Sequence, residues 1–269
     1  MRVLIVSYLL LALAALFASS STADALQSSS SSSFSAADAC GLVPSLECLK
    51  VRRCSNIIAP MATIEGYWRT TVAHGVFERP QQWTNATICY NDLGLVVHEH
   101  GVDKYPFTPF TACNSYVWQK GSAMEMMIFP VKTPFDVPEY YYEIDMSPSG
   151  ATYGTLIFNN KGNVTNCKDC VAGELNCTGA NTFTTIPDLK LSAEYTHDAA
   201  AKKNGWTTSR FLPFTMFHEL GATTRLFKFN LYRYDYPNGE EGTYELSGYS
   251  PTWNPSFHIP ARFALMVLE

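Results

Sequence analysis

The chain has little charge. Charged residues are 16 % of its 269 positions, 19 Lys and Arg stand against 24 Asp and Glu, and no basic run interrupts a formal net charge of -5. A nucleic-acid binder needs a basic patch to displace counterions, so that class is excluded. The G-x-S-x-G elbow, the phosphate-binding loop and the dinucleotide glycine fingerprint are all missing, so no motif supports hydrolase, nucleotide or NAD chemistry. No C-x-x-C-H for haem attachment is present. Helical periodicity is nearly absent, and only 189–203 carries a thin apolar stripe compatible with one or two helical turns.

One long apolar run does occur, at the start. MRVLIVSYLLLALAALFASSSTADA offers Arg2, an apolar stretch from Val3 to Phe17 and an Ala23-Asp24-Ala25 end. It is shorter than the roughly 20 apolar residues of a membrane span and reads as a signal peptide over 1–25. Secretion is expected, and membrane insertion is not. The serine-rich stretch 26–39 has too little apolar surface to offset the entropy of ordering and reads as a flexible leader. No second linker follows, so 40–269 reads as one domain.

All eight cysteines, Cys40, Cys48, Cys54, Cys89, Cys113, Cys167, Cys170 and Cys177, lie beyond the leader, and an even number in a secreted chain implies disulfides. They cluster as three, two and three. If all are paired, at least one bridge must leave the first cluster. Cys167-Lys168-Asp169-Cys170 with Cys177 has zinc-knuckle spacing without an evident fourth ligand, and disulfides in a loop at about 159–181 account for it better. Asn85, Asn163 and Asn176 head glycosylation sequons.

Short alternating runs rich in β-branched and aromatic residues fall at Thr87-Cys89, Leu93-His98, Ala123-Phe129, Tyr140-Met146, Thr152-Phe158, Phe227-Tyr234, Tyr244-Ser247 and Phe263-Leu268. Asn91-Asp92 before Gly94, and Asn159-Asn160-Lys161-Gly162, supply turn chemistry. Strands without intervening helices predict an all-β, antiparallel, disulfide-stabilised sandwich of the jelly-roll or immunoglobulin-like kind.

His98-Glu99-His100 places two imidazoles on one strand face, which reads as a polar sheet face unless a third metal ligand joins. Glu125, Glu143, Asp145, Asp235 and Glu245 could furnish a glycoside-hydrolase pair, although any β-rich chain offers such pairs. Aromatics, at 13 %, are the more distinctive feature. Sugars present flat apolar faces ringed by hydroxyls, so an aromatic platform with planar hydrogen-bonding groups suits them. Trp68, Trp83, Trp118, Trp206 and Trp253 are the candidates, against the expectation that most tryptophans in a sandwich are core. Trp253 is held between Pro251 and Pro255, so it is either packed under its loop or offered to a ligand.

Read in order, YYYEIDMSPSGATYGTLIF (140–158), NGWTTSRFLPF (204–214), FNLYRYD (229–235) and YSPTWNPSFHIPARFALMVL (249–268) resemble the carbohydrate-binding module family 9-like domains. Asn230, Tyr232, Arg233 and Asp235 match N-x-Y-R-x-D. Phe257, His258, Pro260, Arg262 and Phe263 match F-H-x-P-x-R-F, with Ala264 in place of the family's Gly. Upstream, Glu65 stands where the family has Asp in its opening I-D-G, and Val117-Trp118 with Glu125 resembles its V-W…V-E stretch.

The resemblance implies a β-sandwich that clamps a saccharide, often at a chain end, between two tryptophans beside polar side chains. Carried over, Trp118 and Trp253 are the pair, Glu125 accepts bonds from vicinal hydroxyls, and Asn254 is added as the neighbour of Trp253. Asn230, Arg233, Asp235, His258 and Arg262 are structural, with Arg262 pinning backbone carbonyls of the closing loop. Calcium is implied as a possible ion, with no ligands assigned. The expected partner is a polysaccharide or oligosaccharide, bound without catalysis and linked to carbohydrate breakdown through separate enzymes. Two alternatives remain open: a DOMON-type haem domain with Met126 or Met127 and His258 as ligands, and a glycoside hydrolase.

Overall fold

The computed structural model describes residues 39–42, 47–54, 61–160, 162–166, 186, 188–198, 203–218 and 225–269. Cys167, Cys170, Cys177 and Asn176, with residues 1–38, lie outside them. In chain order the strands are β1 (Cys48–Val51), β2 (Ala62–Ile64), β3 (Trp68–Arg69), β4 (Thr84–Tyr90), β5 (Gly94–Val102), β6 (Ala123–Val131) and β7 (Tyr140–Met146). There follow β8 (Thr152–Asn160), β9 (Asn163–Asn166), β10 (Lys190–Asp198), β11 (Lys203–Pro213), β12 (Leu226–Asp235), β13 (Glu245–Gly248) and β14 (Ala264–Leu268). Among the described residues the helical elements are single turns, α-helical at Ala39–Leu42 and Thr215–His218 and 3-10 at Val117–Gln119 and Pro260–Arg262. No helix among the described residues is long and apolar enough to cross a membrane.

The strands form two sheets. The larger runs β1-β14-β12-β6-β7-β8-β9 with β13 and β3 beside β12, and the smaller runs β10-β11-β5-β4-β2. Pairing is antiparallel except between β1 and β14. Both expected turns are present: Asn91 Oδ1 accepts from the backbone N–H of Leu93 (2.8 Å) and Gly94 (3.0 Å), and Asn159 Oδ1 accepts from that of Gly162 (2.9 Å). The segment 189–203, expected to form helical turns, instead supplies β10. Its Leu191 and Ala193 face the core while Ser192 and Glu194 face out, a period of two that a thin apolar stripe disguises.

Alternation decides what lies between the sheets. Met126, Ile128, Ile144, Leu156, Phe229 and Leu231 of the larger sheet meet Ile88, Leu95, Val97, Leu191 and Leu212 of the smaller. One end of this core is polar. The Arg233 guanidinium there donates to Asp235 Oδ1 (2.6 Å) and Thr84 Oγ1 (2.9 Å) and lies 3.3 Å from Asp103 Oδ2. Arg210 binds Glu99, whose carboxylate also accepts from the Tyr67 hydroxyl (2.5 Å). The charges at this end survive because each meets its opposite.

Disulfides join Cys40 to Cys48 and Cys54 to Cys89, so a bridge leaves the first cysteine cluster for β4. Cys113 is disulfide-bonded as well.

Candidate functional site

The outer face of the larger sheet is unusual for a sandwich because it too is buried. The register pairs Glu125 of β6 with Asp145 of β7 and with Tyr232 of β12, while Met127 lies opposite Glu143 and Asn230. These side chains therefore share a face, with Tyr141, Tyr153, Ile157 and Tyr234. Segments 104–122 and 249–263 cover it: Phe257 stacks on Tyr232 with ring centres 4.1 Å apart and planes 7° from parallel, and Phe263 packs edge-on against Tyr141. Gly248, opposite Tyr232, permits the ring's position, because a Cβ there would lie 2.5 Å from it.

Among the described residues, one trio of metal-ligating side chains converges. Glu125, Glu143 and Asp145 each place a carboxylate oxygen within 4.8 Å of the others. They are 1 %, 4 % and 0 % exposed. Burial, then the charge of Glu143, holds the Glu125 carboxyl well above the usual carboxylate range. Burial pushes Glu143 up to about 8, and burial followed by Glu125 and Glu143 raises Asp145 well above its usual value. Glu125 Oε1 and both oxygens of Asp145 meet no hydrogen-bond donor. His258 stands at the margin: Nε2 is 3.8 Å from Glu143 Oε2, Nδ1 is 2.9 Å from the Tyr141 hydroxyl, and burial pushes its pKa down to about 4.

The expected tryptophans lie in different aromatic groups. Trp118 is half-buried on the 3-10 turn Val117–Gln119, edge-on to Tyr116, and packed on a cluster containing Tyr153 and Tyr234. Its buried indole N–H finds no acceptor. Tyr116, 48 % exposed, contacts both Trp118 and Tyr153 and has no distinguishing mark in the sequence. Trp253 is also half-buried. Its N–H donates to the Val76 carbonyl (2.9 Å), the His74 ring lies 4.3 Å away, Phe77 meets it edge-on, and the Arg262 guanidinium covers it at 4.2 Å. Of the two readings of Trp253, the packed loop is present, and part of the ring remains open.

The motif residues shape that loop. Asn230 Nδ2 donates to the Ser250 carbonyl (2.7 Å) while Oδ1 accepts from the Ser250 N–H (2.9 Å), which clamps the turn before Trp253. Arg262 Nε reaches the Pro251 carbonyl (3.4 Å), and its own carbonyl accepts from the Ser250 hydroxyl (2.8 Å). Asn254 is exposed and uses Oδ1 to accept from the Ser256 N–H (2.8 Å). Trp253 itself has φ 51°, a left-handed backbone that bulky residues rarely adopt. The remaining tryptophans are Trp206, fully buried and donating to Asp103 Oδ2 (3.2 Å), half-buried Trp68 under Arg79, and exposed Trp83, which donates to the Glu65 carbonyl (2.8 Å).

The carboxylates considered for hydrolysis divide. Asp235 and Glu245, cross-strand partners, are held by Arg233 and Arg69, apart from the trio. Of the haem candidates, Met126 lies in the core between the sheets, whereas Met127 packs on the outer face with Tyr141 and Phe263.

A concavity lies on the smaller sheet. A groove of about 500 Å³ is lined by Asn85, Thr87, His98, His100, Ser192 and Glu194 among others. His98 and His100 do share a face, and it is a polar one. The half-buried Asn85, a sequon acceptor, lies within it. Burial, then Arg233, lowers the His100 pKa.

No protein-family model matches the chain, and no curated protein matches it by sequence. Among solved structures it is similar to a presumed carbohydrate-binding protein from Bacteroides uniformis, with 12 % identity and a TM-score of 0.56 over 83 % of this chain and 99 % of that one. It is also similar to a family 9 carbohydrate-binding module from Caldicellulosiruptor kristjanssonii. The glucose complex of that module gives 8 % identity and a TM-score of 0.47 over 83 % and 96 % of the two chains, and the cellotriose complex 9 % and 0.46 over 83 % and 94 %. The likeness is one of fold. It agrees with the β-sandwich already evident from the strand register.

Proposed function

We propose that this chain is a secreted, non-catalytic carbohydrate-binding protein that holds a neutral saccharide, at a chain end, against the covered outer face of its larger sheet. The observation that carries this reading is the Trp118 indole N–H, buried without an acceptor beside exposed Tyr116. An unsatisfied buried donor costs about 1–3 kcal/mol, and a sugar hydroxyl lying on the aromatic pair would satisfy it. Trp253 with Asn254 would meet the sugar from the other loop, while Glu125, buried beneath the rings, would support the face from below. The Bacteroides protein lends the fold and nothing finer, because one fold hosts many functions.

Binding is expected to be weak, since one stacked sugar must offset its own immobilisation, and insensitive to salt, since no basic patch drives it. A glycan array probed with the purified chain at low and high salt tests the reading. Retention of neutral glycans at both concentrations supports it. Retention only of charged glycans, lost at high salt, overturns it.

A further inference from the structure

Glu125, Glu143 and Asp145 differ from every other buried acid among the described residues. Glu99 has Arg210, Asp103 and Asp235 have Arg233, and Glu245 has Arg69 at 3.1 Å. The trio has no lysine or arginine partner. The nearest basic group, His258, has Nε2 3.8 Å from Glu143 Oε2 and spends Nδ1 on the Tyr141 hydroxyl at 2.9 Å. Three ionised carboxylates cannot remain so close without a cation or protons.

Glu143 and Asp145 approach closely enough to share a proton, which would satisfy one contact. It would leave Glu125 Oε1 and an oxygen of Asp145 still without a donor. Asp145 is fully buried with both oxygens unpartnered and turned towards the other two carboxylates. A single ion at their centre would answer all three at once.

We infer that Glu125, Glu143 and Asp145 form a divalent-cation site, with calcium as its ion. The donors are all hard oxygens, which favours calcium or magnesium over softer metals. Calcium–oxygen bonds of about 2.3–2.6 Å let two ligand oxygens stand up to about 5 Å apart, so the 4.8 Å convergence fits. Magnesium demands tighter octahedral geometry and keeps several waters, which this buried face suits less well. Three carboxylates supply up to six oxygens, near calcium's usual number. The site lies beneath the aromatic residues of the proposed saccharide face, yet it stands whether or not a saccharide binds.

The test uses the full chain, stripped with chelator and without any saccharide, in thermal melts with and without calcium chloride and in terbium titrations. Tyr232 lies directly across from Glu125 and Tyr141 meets the His258 that faces Glu143, so both can sensitise terbium luminescence. Asp145→Asn and Glu143→Gln each replace a carboxylate with an amide that can donate to its neighbour, and both spare Glu125. Wild type should melt several degrees higher with calcium and should light terbium, while each variant loses both responses. Metal-free variants should melt no lower than metal-free wild type. A wild type indifferent to calcium, or a calcium response that persists in both variants, overturns the inference. Calcium binding without saccharide binding keeps it and removes the carbohydrate reading.

Discussion

The guanidinium carbon of Arg262 lies 4.2 Å from the centre of the Trp253 ring, and the same side chain reaches back to the Pro251 carbonyl. One arginine thus covers the tryptophan and ties down the loop that carries it. Because the ring is already covered on one side and hydrogen-bonded at its nitrogen, ordering it on binding costs little.

Trp253 also tests what its backbone contributes. At φ 51° any residue with a Cβ bears about 1 kcal/mol of strain that glycine escapes. Both Trp253→Ala and Trp253→Gly should weaken saccharide binding by about 1–3 kcal/mol, the scale of an aromatic anchor. Denaturant melts should find the glycine variant about 1 kcal/mol more stable than the alanine one. Alanine equal to or better than glycine would contradict the left-handed assignment.

The Glu99–Arg210 pair stands in the polar end of the core. Arg210→Leu leaves the Glu99 charge buried with only hydroxyl donors, Tyr67 at 2.5 Å and Thr208 at 3.3 Å, and should cost about 3–5 kcal/mol. Adding Glu99→Leu removes the stranded charge. Urea unfolding of the double variant should therefore recover part of the loss, whereas additive losses would mean that the pair is not coupled.

Much of this fold was legible. The runs at 123–129, 140–146 and 152–158 stood out by their β-branched and aromatic residues between turn signals, and they are nearly continuously apolar because both faces of their sheet are covered and both must be filled. The strand at 190–198 was obscured because Ser192 and Glu194 line an open groove, leaving Leu191 and Ala193 as a thin signal. The carboxylate trio was half legible. Glu143 and Asp145 share a strand face by spacing alone, but only the β6–β7 register places Glu125 opposite Asp145, and register depends on distant packing. Tyr116 became a candidate only once the turn folded it against Trp118. The separation of Trp118 and Trp253 into different aromatic groups depends on His74 and Phe77, which no local pattern links to Trp253.

Lys228 carries a pH signature. It is 3 % exposed, and burial lowers its pKa from 10.5 to about 8, against a smaller opposing pull from Asp136. Below about pH 8 the folded and unfolded chains are both protonated, and the fold bears the whole cost of the buried ammonium. Between there and 10.5 the unfolded chain holds a proton that the folded one has released, so this residue's contribution to stability rises with pH. Lys228→Met should melt above wild type at pH 7, and the gap should narrow by pH 10. A gap independent of pH would assign the effect to packing instead.

The Cys54–Cys89 bridge closes a span of 35 residues. Loop-closure entropy puts its contribution at about 3–4 kcal/mol. Cys54→Ser with Cys89→Ser should lose that much in denaturant titrations, and non-reducing peptide maps of wild type should recover the linked peptides. A Cys54 peptide joined to another cysteine would contradict the fold around β4.

The central claim is that a saccharide binds the aromatic, covered face of the larger sheet and not the polar groove of the smaller one. Titration calorimetry with the best neutral glycan, comparing wild type, Trp118→Ala and Glu194→Ala, separates the two faces. The account predicts micromolar or weaker binding to wild type, little change in Glu194→Ala, and a loss of about 1–3 kcal/mol in Trp118→Ala. Binding intact in Trp118→Ala but abolished in Glu194→Ala would contradict it.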